Sequence, residues 1–82
     1  MKVYKFGEGS FYDLIIEEDN GEVRVASVVN NKVTEYIAKK YVTKEGIVRV
    51  IYGGGSSMPF RNADGSLNMR ITELVNEEKV SV

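Results

Sequence analysis

Three segments near the start of the chain are predicted to be strands, and the third has the two-residue alternation that is typical of half-buried strands. Residues 2–6 have the sequence KVYKF and residues 11–18 the sequence FYDLIIEE, and residues 22–29 place Val23, Val25 and Ser27 on one face and Arg24, Ala26 and Val28 on the other. Asn20 and Gly21 separate the last two segments, and an Asn-Gly pair accepts the positive φ angles of a two-residue type I′ turn. The second and third segments are therefore predicted to pair as a β-hairpin.

Residues 32–45 carry apolar side chains every four positions, at Val33, Ile37 and Tyr41. This spacing places them on one face of an α-helix, and Gly46 stands where a glycine commonly ends one. Strand alternation fits less well, because neither the odd nor the even positions are uniformly apolar. The pattern predicts a helix, although Val, Thr and Tyr are poor helix formers.

The rest of the chain is predicted to hold one clear strand and one less regular one. Residues 47–52 (IVRVIY) have the apolar run of a central strand, whereas residues 53–66 show no periodicity and are predicted to be a long loop. Residues 67–75 fit a helix face or a strand. Thr72 and the β-branched residues within 79–82 favour strand and a terminal ribbon.

These elements predict an α+β fold, with a small, mostly antiparallel sheet of about five strands and one helix packed on one face. Twelve Val and six Ile against three Leu also favour sheet. The 82 residues suit one domain spanning 1–82. A chain this short builds a thin core, so homo-oligomerisation is predicted, through strand edges at residues 2–6 and 79–82.

Composition excludes several kinds of chemistry. The chain has no His and no Cys, which rules out a Ser-His-Asp triad, a thiolate nucleophile and a tetrahedral zinc site within one chain. The lack of Cys favours a reducing compartment, and no apolar run approaches the ~20 residues that span a bilayer. We therefore expect a cytoplasmic protein that is not an enzyme, has no metal or cofactor and binds no membrane.

The most unusual segment follows the strand at 47–52, and its sequence from position 52 is YGGGSSMPFRN. Consecutive glycines let backbone amides approach an anion closely, and hydroxyl and guanidinium groups add donors. The phosphate-loop and dinucleotide-binding patterns are both absent. The candidate binding residues are Tyr52, Gly53, Gly54, Gly55, Ser56, Ser57, Met58, Phe60 and Arg61.

Two targets are open for the segment 53–62. A small anionic, nucleotide-like ligand would use its glycines, serines and Arg61. A partner protein would use Met58 and Phe60, because apolar side chains and Arg are enriched at interface cores. The alternative is that Met58 and Phe60 fold back over the core, with Pro59 stiffening the turn. The leading hypothesis is a non-enzymatic regulator or inhibitor that binds through this loop.

A nucleic-acid-binding module is the alternative hypothesis. Lys32, Lys39, Lys40 and Lys44 lie near Tyr36 if the segment 32–44 is helical, and lysines beside an aromatic ring can bind a phosphate backbone and stack a base. The net charge of the chain is −1, whereas nucleic-acid-binding domains usually carry a basic excess. The ordinary solvent face of an amphipathic helix is the favoured explanation of four lysines in a nearly neutral chain, so nucleic acid is the less favoured partner.

Overall fold

The computed structural model describes residues 1–74, which form seven strands and no helix. The strands are β1 (Lys2–Glu8), β2 (Phe11–Glu17), β3 (Val23–Val29), β4 (Lys32–Val42), β5 (Val48–Tyr52), β6 (Ser56–Arg61) and β7 (Ile71–Glu73). The absence of helix in this part of the chain also means that no helix there is long and apolar enough to cross a membrane.

All seven strands belong to one antiparallel sheet in the order β6-β5-β4-β3-β2-β1-β7. The sheet curls into a half-barrel, so its concave face encloses the core. Ala26 and Val28 are buried on the convex face. The fold is therefore all-β, and the predicted α+β class with a helix on one face is wrong.

The core lies on the concave face, to which every second residue of each strand points. Its buried members are Tyr4, Ile15, Val23, Val25, Ala38, Val50, Met58, Phe60 and Ile71. Burying a large apolar side chain of this kind stabilises the folded state by about 1.5–3 kcal/mol. One curled layer thus supplies the enclosure that the predicted helix was expected to supply.

The segment predicted as a helix, residues 32–45, is the long strand β4 followed by a turn. A spacing of four residues is also an even number, so Val33, Ile37 and Tyr41 all lie on the convex face of a strand. The turn before β4 decides the outcome: Asn30 and Asn31 have φ of 49° and 70°, as a two-residue type I′ hairpin turn requires.

The predicted hairpin over 11–29 is confirmed, but its type I′ turn is wrong. The connection is a five-residue turn in which the N–H of Glu18 donates to the carbonyl oxygen of Glu22 at 2.8 Å, and that of Gly21 donates to Glu18 at 3.0 Å. Only Gly21 has a positive φ, 91°. The same hydrogen-bond pattern closes the turns at residues 43–47 and 62–66.

The later elements correct and extend the sequence prediction. The predicted loop 53–66 contains the strand β6. Of the segment 67–75, residue 75 lies outside the described residues, and among residues 67–74 only Ile71–Glu73 form a strand. Residues 4–6 pair with β7, so this stretch is no free edge for oligomerisation. The predicted ribbon at 79–82 lies outside the described residues.

Candidate functional site

The glycine-rich segment divides into a turn and a strand. Residues 53–55 connect β5 to β6, and Gly53 and Gly55 have φ of 61° and 115°, which side-chain-bearing residues rarely adopt. A Cβ on Gly53 would lie 3.5 Å from the Tyr36 ring. These two glycines are therefore explained by the geometry of a tight hairpin.

The two candidate apolar anchors are buried in the core. Met58 and Phe60 have 3% and 0% of their surface exposed, because alternate residues of β6 point to the concave face. The Tyr4 and Phe60 rings meet edge-on, with centroids 5.0 Å apart. Neither Met58 nor Phe60 presents its side chain to a partner at the surface.

Arg61 lies at the far end of β6 from the glycine turn. An irregularity in the pairing with β5, between Val48 and Arg49, marks a bulge there. Arg61 donates from Nη2 to the Tyr4 hydroxyl at 3.3 Å and from Nη1 to the carbonyl oxygen of Gly65 at 3.1 Å. At roughly 3.3 Å per strand residue, Ser56 and Arg61 are about 16 Å apart, so they do not converge on one small anion.

The remaining candidates also have structural partners. The Ser57 hydroxyl accepts a hydrogen bond from Arg49 Nη2 at 3.0 Å, and the Tyr52 ring packs against Tyr36 with centroids 5.8 Å apart. Burial raises the pKa of Tyr52, and the negative charge of Asp13 and a hydrogen bond to it raise this pKa further. A carboxylate beside Tyr52 disfavours an anionic ligand at this end of the segment.

The predicted lysine face does not form, because its residues lie on a strand. Eight residues separate Lys32 from Lys40, which is about 26 Å along a strand, and Lys39 and Lys40 point to opposite faces. Lys40 is paired with Glu17, Nζ to Oε2, at 2.6 Å. Lys39 and Lys40 lie near the end of β4, and Lys44 lies in the turn that follows it.

A chain of polar side-chain contacts links Arg61, Tyr4, Glu17 and Lys40, which lie on four different strands. The Tyr4 hydroxyl donates to Glu17 Oε1 at 3.2 Å, and Lys40 holds the other oxygen of that carboxylate. Burial raises the pKa of Glu17, but hydrogen bonds from Lys40 and Tyr4 and the charges of Lys40 and Arg61 outweigh it, so the pKa is lowered. The pKa of Tyr4 is raised, first by burial and then by Glu17. The hydrogen-bonding groups of these side chains are therefore paired with one another, and they lie beside the hydrophobic core.

The end of β4 combines an unpaired strand edge with exposed apolar side chains. The pairing of β3 with β4 stops at Val23 and Ala38, so residues 39–42, the projecting end, have β5 as their only strand neighbour among the described residues. Ile37 is 85% exposed and Val42 67% exposed, and Tyr41 is exposed too. Large apolar side chains thus stand in solvent on both faces of this end of the strand.

Hydrogen-bond alternation shows which backbone groups of the projecting end are unpaired. The N–H of Thr43 donates to the carbonyl oxygen of Ile47 at 2.9 Å, so Thr43, and with it Tyr41 and Lys39, direct N–H and C=O toward β5. Lys40 and Val42 therefore direct theirs to the open side, where the described residues include no partner strand.

The turn between β2 and β3 does not fill this open side. Gly21 donates its N–H to Glu18, and Glu22 donates its N–H to Asn20 Oδ1 at 3.0 Å. A depression, called the slot below, lies between this turn and β4. Its lining is Gly21, Glu22, Val23, Arg24, Ile37, Ala38, Lys39 and Lys40.

Sequence reasoning missed the projecting end and the slot because both depend on where β3 stops against β4. The exposed apolar residues Ile37, Tyr41 and Val42 were assigned to a helix. The available signal was the length difference between the two strands, which appears once Asn30 and Asn31 are recognised as a two-residue turn.

The described residues contain no group of three or more acidic side chains arranged to hold a metal ion. Comparison with protein-family models, curated proteins and solved structures gives no match for this chain. The geometry of the molecule is therefore the basis for the functional argument.

Proposed function

We propose that this chain is a non-enzymatic binding protein, a small regulator or inhibitor, that acts by binding a partner protein at the projecting end of β4. The observation that carries the proposal is the exposed apolar surface of Ile37, Tyr41 and Val42 beside unpaired strand backbone. Burial of an exposed aromatic or aliphatic side chain by a partner contributes about 1.5–3 kcal/mol of favourable free energy.

Between the two targets left open by the glycine-rich segment, the geometry favours a protein. Arg61 is about 16 Å from the glycine turn and is engaged by Tyr4 and Gly65. Asp13 places negative charge beside Tyr52. A nucleotide-like anion would find few free donors here, whereas a partner protein can bind the apolar side chains exposed on β4.

Nucleic acid is also less favoured by this arrangement. Ion pairs to carboxylates already hold Arg24 and Lys40, and Lys32 lies far from the other lysines. A track of cations that follows a phosphate backbone is therefore missing from β4.

The test compares two exposed apolar positions with a photo-crosslinking amino acid. Ile37 lies at the proposed surface, and Met69, which is 94% exposed, lies away from it on the segment before β7. We expect position 37 to form one discrete protein adduct in lysate of the source cells, and position 69 to form none. The adduct mass also shows whether a second copy of the chain is the partner.

A purified partner then supplies the quantitative test. Ile37→Ala is expected to weaken its binding by about 1–2 kcal/mol, and Met69→Ala is the matched control, expected to leave binding unchanged. Equal adducts from both positions, or equal affinity of both variants, contradict the proposal.

A further inference from the structure

We infer that the partner binds by strand addition: an extended, acidic segment of another protein enters the slot and pairs with the open side of β4. This rests on the proposed function and specifies how the same surface is used. Main-chain hydrogen bonds give such complexes their affinity, and alternate side chains give them specificity.

The backbone of the projecting end offers the required hydrogen bonds. Lys40 and Val42 each present one N–H and one C=O on the open side, which is two residue pairs of an antiparallel or parallel ladder. On the far side of the slot, Gly21 and Glu22 use their N–H groups within their own turn. The turn therefore does not compete for Lys40 and Val42.

The slot also has a place for side chains of the added strand. Val23, Ile37 and Ala38 supply apolar lining next to Lys39 and Lys40. An incoming segment that alternates apolar and acidic residues would place its apolar set on the face of Val23 and Ala38 and its acidic set on the opposite face, beside Lys39. Glu22 is the acidic residue of the lining, and it lies in the turn directly before Val23, where the pairing with β4 ends.

Charge selects an acidic segment. Lys39 lies on the projecting end, Lys44 follows it, and Arg49 pairs with Tyr41 across the ladder to β5. Within residues 1–74 none of these three cations has an ion-pair partner. Opposite charges on directly adjacent strands stabilise pairing, and like charges destabilise it.

The same lysines disfavour a second copy of this chain as the added strand. If residues 39–42 of two copies paired antiparallel, Lys39 and Lys40 of each copy would face the same short segment of the other. Lysines at strand edges commonly block this kind of self-pairing. The lysines thus disfavour pairing between two copies of this chain but allow an acidic strand to pair with the edge.

The test uses the full chain and three synthetic hexapeptides. The probe is acetyl-(Val-Glu)3-amide, the charge control replaces Glu by Lys, and the backbone control is the probe with every amide N-methylated. Amide hydrogen exchange and chemical shifts of the protein are followed by NMR during titration. With the probe, we expect exchange at Lys40 and Val42 to slow by at least about tenfold while Lys39 and Tyr41 change little, because β5 already protects them.

Two variants sharpen the test. Val42→Pro removes an N–H from the open side without removing one from the ladder to β5, and it is expected to abolish the protection of Lys40. Lys39→Glu keeps the backbone and is expected to weaken probe binding about fivefold. The dispersion of the NMR spectrum confirms that each variant is folded before it is used.

Each outcome is decisive. Selective protection of Lys40 and Val42 by the acidic peptide, absent with the methylated one, supports strand addition. Equal binding of the lysine peptide overturns the acidic preference, and equal binding of the methylated peptide overturns strand pairing. No binding of the probe at millimolar concentration overturns the inference, while the crosslinking test at Ile37 decides independently whether the surface binds a protein at all.

Discussion

The Tyr4 ring meets the Phe60 ring edge-on, with centroids 5.0 Å apart and planes at 77°. These residues lie on β1 and β6, which are five strands apart in the sheet and do not pair with each other. The two rings therefore meet because the sheet curls, not because their strands are paired. Both side chains are completely buried.

Phe60→Ala removes this contact and leaves a cavity where the two ends of the sheet approach. We expect the free energy of unfolding to fall by about 3–5 kcal/mol, measured by urea denaturation at neutral pH. Phe60→Leu keeps most of the volume and is the matched control, expected to cost less than half as much. A loss below ~1 kcal/mol for the alanine variant would contradict a closed concave core.

The glycine turn gives a pair of neighbouring substitutions with different expected effects. Gly55 has a φ of 115°, whereas Gly54 has no positive φ and open space around its Cα. Gly55→Ala is expected to destabilise the fold by about 1 kcal/mol or more, and Gly54→Ala to leave stability unchanged or raise it by about 0.4–1 kcal/mol. Thermal unfolding of the two variants measures the difference, and equal melting temperatures would contradict the turn geometry.

Glu17 makes stability depend on acid pH. Burial alone would raise its pKa, but Lys40, Tyr4 and Arg61 lower the pKa in the folded state below the value in the unfolded chain. Its contribution is therefore fully present above the unfolded pKa of about 4.3 and is lost as pH falls through the folded pKa. Urea midpoints between pH 7 and pH 3 should fall less for Glu17→Gln than for the native chain; an equal fall would show that Glu17 carries no such linkage.

The Tyr52 hydroxyl should have a raised pKa. Burial raises its pKa, and Asp13 adds to the effect through its charge and a hydrogen bond. NMR titration of the Tyr52 ring should therefore give a pKa above 10.0, the ordinary tyrosine value, and Asp13→Asn should lower it. An unchanged Tyr52 titration in that variant would place Asp13 away from the hydroxyl.

The hairpin at 11–29 could be predicted from sequence because residues 22–29 alternate and Asn20 and Gly21 favour a turn between two strands, although not the turn type that forms. The strand at 47–52 could be predicted from its apolar run. Periodicity alone could not distinguish a helix from a strand over residues 32–45, because Val33, Ile37 and Tyr41 lie on one face of either element. The β-branched and aromatic content of the segment was the better guide, because a strand that is exposed on both faces at its end has no clean alternation.

The candidate site was harder to predict than the fold. Gly53, Met58 and Phe60 are unusual in composition, but a tight turn and a buried strand account for them. Val42 gains its significance only from the register of β3 against β4, which ends the pairing at Ala38. The Asn30-Asn31 turn and the start of β3 at Val23 set this register, so no pattern within residues 32–42 alone encodes it.

Amide hydrogen exchange along β4 of the free protein tests the central claim most directly. We expect Lys39 and Tyr41, which hydrogen-bond to β5, to be protected, and Lys40 and Val42 to exchange rapidly, while protection on the β3 side ends at Ala38. Similar protection of all four residues from 39 to 42 would contradict an open strand edge and remove the proposed binding surface.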